Sequence, residues 1–220
     1  MYDLNTIQIP NTTTYYKPES KLNGFVWNYI TYTNAKLVAE NAYEIKSTDG
    51  NTTFVKSGLI TGRQWDTMLK FIEQTKSDDT NGNGVNTNSK MWGNYYERKP
   101  INISTGYYES GSFDTSNYIN ALITSITKTA DGFYLLQTGA FGEATGEHPK
   151  NFYDVAENMW EWTNEKVSEK GGSNTVVGNS LLRGGAFDSY SSRSAAYRGG
   201  DDGAGNWGCS IGFRLVLYVL

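Results

Sequence analysis

A chain of 220 residues with 19 Lys and Arg against 23 Asp and Glu carries a formal charge of −4. No basic run exceeds two residues, which argues against a phosphate-tracking surface, and no stretch approaches the roughly 18 apolar residues of a membrane span. One cysteine, Cys209, and one histidine, His148, exclude an intrachain disulfide, a zinc site built on paired cysteines and any multi-histidine iron centre.

The start, M-Y-D-L-N-T-I-Q-I-P-N, has neither a basic n-region nor an apolar h-region, so no secretory signal is expected. Residues 1–24, β-leaning and broken by Pro10 and Pro18, read as an extended arm or edge strand ahead of one domain over 25–220. Thr33 to Tyr43 reads as a first helix, with Thr33 as N-cap and Ala35, Val38, Ala39 and Ala42 at helical spacing. The second helix opens with a capping box, Thr61-Gly-Arg-Gln64, followed by Trp65, Met68, Leu69 and Ile72 as one apolar stripe. Residues 74–118 turn polar and irregular, the kind of long segment that is usually functional or mobile. Ala121 to Ile126 is compatible with a short helix or a strand. Gly132 to Leu136 reads as a strand, then a loop over 138–150. Tyr153 to Trp162 holds a tight turn leading into a strand, and Leu181 to Phe187 and Ile211 to Leu220 are the last strands. The final run, I-G-F-R-L-V-L-Y-V-L, is apolar enough for a central strand covered on both sides.

Asp79-Thr-Asn81-Gly-Asn83-Gly84 imitates half of a calcium loop, but its twelfth position is Lys90, a cation where the ion needs a carboxylate. A solvated turn is the better reading. His148, in G-E-H-P-K, has no recognisable nucleophile nearby and reads as a surface histidine. Cys209 lacks a second thiol or a histidine neighbour and reads as a small, half-buried loop residue. The N-x-[ST] triplets at Asn11, Asn51 and Asn102 are what a chain rich in Asn and Thr contains by chance. Arg183, Arg198 and Arg214 abut strand or glycine segments, where a guanidinium fork can brace loops against Asp154, Glu157 or Glu161.

Four ordered blocks carry a resemblance. Asn158-Met-Trp-Glu-Trp-Thr163, Arg183-Gly-Gly-Ala-Phe187, Arg193-Ser-Ala-Ala-Tyr-Arg198 and Gly212-Phe-Arg214 resemble the formylglycine-generating enzyme, or sulfatase-modifying factor, family. S-G-L-I-T-G-R-Q-W-D at 57–66 is similar to its bacterial and phage branch. The resemblance implies an α+β C-type-lectin variant, with two helices packed on small antiparallel sheets and long irregular loops. Enzymes of that family bind copper through two cysteines after R-G-G, and the corresponding segment here, A-F-D-S-Y-S-S-R-S-A-A-Y-R, has none. The related iron-dependent sulfoxide synthases need several histidines, also missing. Glu157 replaces the family's usual glycine, and Asn158 and Glu161 are the nearest candidates for a family calcium, so neither calcium nor another cofactor is assigned.

The same blocks also resemble the variable proteins of diversity-generating retroelements, which display hypervariable residues on this fold. Adenine-directed mutation turns AAY codons into NNY, which never encode Lys, Glu, Gln, Met or Trp. Between Ala186 and Ser192, and between Gly200 and Cys209, every residue except Trp207 belongs to the NNY set. The resemblance thus implies a variable region over 183–214 whose contact residues are Ala186, Phe187, Asp188, Tyr190, Ser191, Ser192, Asp201, Asp202, Ala204, Asn206, Trp207 and Cys209. Phe187, Tyr190 and Trp207 are expected to be exposed aromatic anchors. The implied protein is non-catalytic, binds a protein or glycan such as a host-cell receptor, does not bind nucleic acid, and sits on a virion or cell surface. The alternatives are an undiversified structural or adhesive module, or a divergent oxidase with chemistry centred on His148 or Cys209.

Overall fold

A computed structural model describes residues 26–75, 84–86, 89, 93–96, 101–103, 106–109, 122–123, 126–128, 133–136, 138–139, 152–156, 158–166, 180–190, 192–200 and 208–220. In chain order the elements are α1 (Tyr32–Asn41), β1 (Glu44–Lys46), β2 (Thr53–Leu59), α2 (Gly62–Thr75), β3 (Ile101–Ile103), β4 (Gly106–Glu109), β5 (Leu122–Ile123) and β6 (Ile126–Lys128). They continue with β7 (Phe133–Leu135), β8 (Trp160–Lys166), β9 (Ser180–Arg183), β10 (Arg198–Gly200), β11 (Ile211–Phe213) and β12 (Leu215–Val219). The arm over 1–24, the calcium-like loop at 79–83, Lys90, His148 and Glu157 lie outside the described residues. The ambiguous segment at 121–126 contributes strand residues, in β5 and at the start of β6.

Each helix starts where its side chains can satisfy its own orphan amides. The α2 box forms as read: Thr61 Oγ1 accepts from Gln64 N at 3.2 Å, and Gln64 Oε1 accepts from Thr61 N at 2.9 Å. Its stripe is buried, with Trp65 and Ile72 fully covered, against Val155, Ala156, Tyr95 and Ala195. Burying four such side chains contributes about 1.5–3 kcal/mol each. Helix α1 begins earlier than its periodicity indicates, because Thr31, not Thr33, holds the extended conformation a cap requires and accepts from Asn34 N at 3.3 Å. Its Ala35, Val38 and Ala39 face Leu59, Trp162 and Leu182. Small residues there allow Ser57 Oγ to reach Ala39 O at 2.6 Å.

Two sheets frame the molecule, one ordered β1-β2-β12 and one ordered β10-β9-β8-β11. Two smaller ones pair β3 with β6 and set β4 between β5 and β7. The C-terminal run is not one central strand. It divides at Arg214, with β11 lying parallel to β8 and β12 antiparallel to β2. At the break the Arg214 carbonyl still accepts from Ile60 N at 3.2 Å, while its guanidinium turns sideways to neighbouring chain. Nε and Nη2 donate to the Glu161 carboxylate at 2.9 and 2.7 Å, and Nη2 also donates to the carbonyls of Tyr153 and Asp154. Beyond the break, β12 is an edge strand among the described residues, with Leu217 and Val219 well exposed.

Candidate functional site

The frame beneath the C-terminal loops is built on Trp65. Arg183 and Arg214 bring their guanidinium carbons to 5.9 and 6.0 Å from its ring centroid, and its indole N–H donates to Ala195 O at 2.9 Å. The arginines are braces, as expected, but two of them use partners other than those expected. Arg183, fully buried, pairs with Asp66 and lies 3.3 Å from Glu165, and Arg198 pairs with the same two carboxylates at 2.7 and 3.0 Å. Only Arg214 takes Glu161. Asp154 serves Arg214 through its main-chain carbonyl, while its carboxylate accepts from Gly139 N at 3.2 Å. Burial pushes the Asp154 carboxyl up to about 7, with Arg214 pulling the other way.

A second anchor is Asn158, held at φ 68°. Its Oδ1 accepts from Leu136 N at 2.9 Å and from Asn94 Nδ2 at 3.0 Å, its Nδ2 donates to Leu136 O, and its carbonyl accepts from Phe187 N. Asparagine tolerates this left-handed conformation better than most residues.

From this frame the chain after β9 turns through Gly184 and Gly185, both at positive φ (89° and 80°). The turn decides which side chains reach solvent. Ala186 and Phe187 point inward, Phe187 only 1% exposed and packed with Val26, Leu135, Met159 and Cys209. The expectation that Phe187 is an exposed anchor, and Ala186 a contact, is therefore corrected. Cys209 is corrected likewise, being fully buried rather than half-buried, with its carbonyl accepting from Asn28 Nδ2. Asp188 is half-buried, and burial raises its carboxyl above the usual range. Ser192 is exposed, and Tyr190 is 63% exposed. Ser191, Asp201, Asp202, Ala204, Asn206 and Trp207 lie outside the described residues.

Around Tyr190 the structure assembles partners that the pattern of variable codons did not single out. Tyr96 meets Tyr190 edge-on at 5.7 Å, and Tyr96 N donates to Ser189 O. Arg193 lies 5.4 Å from the Trp160 ring, and Trp160 in turn packs at 5.8 Å against the exposed Tyr197. The described part of the loop is tied by hydrogen bonds, both within itself and to distant chain. Turn bonds link Ser189 to Ala186, Arg193 to Tyr190 and Tyr197 to Ser194, and cross-ties reach Val85 O and Ser89 Oγ. Tyr190, Ser192, Arg193 and Tyr197 are thus surface residues on a buried, hydrogen-bonded support. Arg193 and Tyr197 belong to the R-S-A-A-Y-R block at 193–198 that carries the resemblance, but neither was expected as a contact residue. Tyr96, almost a hundred residues upstream, left no signal.

A separate open concavity of about 530 Å³ is lined by Thr61, Gly62, Arg63, Asp66, Thr67, Lys70, Asn164 and Glu165. It contains neither cysteine nor histidine. The Thr61 hydroxyl is engaged with Gln64 and that of Thr67 donates to Arg63 O, so neither threonine is poised as a nucleophile.

Residues 82–219 match the model of the sulfatase-modifying factor enzyme 1-like domain, and the chain belongs to that family. No curated protein sequence matches it. Among solved structures, it is similar to Treponema denticola variable protein 1, at 14% identity and a TM-score of 0.44, covering 86% of this chain and 69% of that one. It is also similar to CarF, at 16% identity and a TM-score of 0.42, covering 88% and 67%.

The residues present do not fit the copper centre of the family's oxidases. That centre needs two thiolates, whereas the single sulfhydryl here is buried among Val26, Leu135, Met159 and Phe187. Asn158 and Glu161 do not fit a calcium site either. The amide oxygen of Asn158 already accepts two N–H groups, and both carboxylate oxygens of Glu161 are held by Arg214.

Proposed function

We propose that this chain is a non-catalytic binding protein that displays a diversified contact face on the frame just described. The carrying observation is the division of labour within residues 186–197. Ala186, Phe187, Ser189, Ser194 and Ala195 are buried, whereas Tyr190, Ser192 and Tyr197 are open to solvent. Exposed tyrosines beside an arginine are the residue types that dominate binding hot spots, and a stiff support reduces the entropy lost on association. Asp188, Ser191, Asp201, Asp202, Ala204 and Asn206 complete the proposed face on the strength of the NNY-compatible sequence, with Trp207 as a fixed aromatic among them. The partner is a protein or glycan, such as a host-cell receptor, met on a virion or cell surface.

Two measurements test this. The coding locus is expected to lie beside a reverse transcriptase and a near-copy of codons 180–220 that differs only at adenines. An undiversified adhesive module is the conclusion if that near-copy is missing. Incubation with cysteine-containing peptides, copper and oxygen is expected to yield no formylglycine. Product that depends on Cys209 would restore the oxidase reading.

A further inference from the structure

Arg183, Arg198 and Arg214 are each tied to a carboxylate, whereas Arg193 lies within ion-pair distance of none among the described residues. Asp188 feels its charge, but burial holds that carboxyl above its usual range and the two form no ion pair. The guanidinium is nonetheless held in place. Its backbone is fixed at both ends, the N–H donating to Tyr190 O at 2.8 Å and the carbonyl accepting from Tyr95 Oη at 3.3 Å. The side chain lies over the Trp160 ring at 5.4 Å, and Nη1 reaches Ser189 Oγ at 3.5 Å. An arginine carries five N–H donors in one plane. Contact with an indole engages the face of that plane and leaves its edge, so most of the fork remains unspent at an exposed position.

The surroundings indicate which anion fits. Arg193 is linked to one exposed tyrosine, Tyr190, through its backbone, and to another, Tyr197, through the shared Trp160 indole. Rings at that spacing exclude water around a docked anion, and an ion pair strengthens as water leaves. A polyanion would need a row of cations, and this chain carries a net −4. A sugar ring would need an open aromatic face, and Trp160, 9% exposed, is occupied in holding Arg193 and Tyr197. Tyrosine and arginine side by side are instead the residue types of protein hot spots. We infer that Arg193 is the specificity-determining cation of the contact face, taking an aspartate or glutamate carboxylate of a protein partner through its guanidinium fork, with Tyr190 and Tyr197 as its aromatic neighbours. This rests on the binding-protein reading proposed above.

The probe is a displayed library of random peptides selected on the immobilised full chain, with enriched peptides remade and titrated in solution. Peptides that bind through the face are those lost on Tyr190→Ala, and they are expected to share an aspartate or glutamate. Arg193→Gln should weaken them at least about tenfold, the effect of one charge-assisted hydrogen bond. Arg193→Lys should recover only part, because lysine keeps the charge without the fork. Changing the shared acid of the peptide to its amide should cost the unaltered protein the same factor and cost Arg193→Gln nothing further, which a merely structural role for Arg193 would not produce. The peptide change also carries the test if Arg193→Gln does not fold. Tyr190-dependent peptides without a common acid, or ones that bind Arg193→Gln as tightly, overturn the inference and leave the binding face standing. If no Tyr190-dependent peptide emerges, the reading of the face falls and the inference with it. Binding to sialylated or uronic-acid glycans that requires Arg193, with no acidic peptide enriched, overturns the protein partner.

Discussion

Replacing Arg183 by methionine perturbs the most deeply buried charge in the frame. The side chain is fully buried, donates to Ala196 O at 2.6 Å, pairs with Asp66, lies 3.3 Å from Glu165 Oε2 and flanks Trp65. Burial and Arg198 pull its pKa down, and Asp66 and Glu165 work against that. Methionine fills much of the volume but leaves a carbonyl without its donor, a loss of about 1–3 kcal/mol. It also leaves Glu165 with only Arg198, and removal of one partner from a buried pair costs about 3–5 kcal/mol. That second figure must be discounted, because Asp66 is half exposed and can rehydrate. The total is about 3 kcal/mol, or roughly 6–12 °C in Tm for a domain of this size. Near-UV circular dichroism melts of Arg183→Met, Asp66→Ala and the double variant measure both the loss and the coupling. Arg183→Lys, which keeps the charge without the fork, should recover only part of it. A shift below about 2 °C for Arg183→Met would refute the reasoning, since a group so enclosed and so connected cannot then be bracing anything.

Three further outcomes follow from the same geometry. Phe187→Ala is expected to lower stability by about 3–5 kcal/mol in urea titration, whereas Tyr190→Ala should change it by under about 0.5 kcal/mol; equal effects would erase the distinction between frame and display. Gly184→Ala, at φ 89° with a new Cβ 3.0 Å from Val155 O, should destabilise by at least about 1 kcal/mol, and an unchanged denaturation midpoint would count against that backbone. Asp154 is raised from its ordinary value of 3.8 to about 7, so the folded state keeps its proton longer than the unfolded one. The stability this provides is complete below about pH 4 and is lost as pH rises to about 7, at most about 4 kcal/mol. Asp154→Asn, which can still accept from Gly139, should therefore melt higher than the unaltered protein at pH 8 and no higher at pH 4; a pH-independent difference would contradict the burial of that carboxyl.

Some of this architecture was readable from the chain by itself because the signals are short in range. The α2 box and stripe need only residues within two turns of one another, and both form as their spacing requires. The family blocks were also readable, since Arg183-Gly-Gly185 and Gly212-Phe-Arg214 pair residue types with few other uses, and the α+β arrangement of two helices on small sheets follows with them. Tertiary structure decided the rest. The apolar run from 211 to 220 looks continuous, yet its two halves pair with different sheets on either side of Arg214, whose guanidinium is held by the distant Glu161. Composition could nominate Phe187 and Tyr190 together, yet two consecutive glycines at positive φ turn one into the core and leave the other outside. Tyr96 joins Tyr190 only because Ser189 accepts its amide. Local propensity depends on near neighbours, whereas the direction of a side chain leaving a turn depends on what the distant chain has already filled.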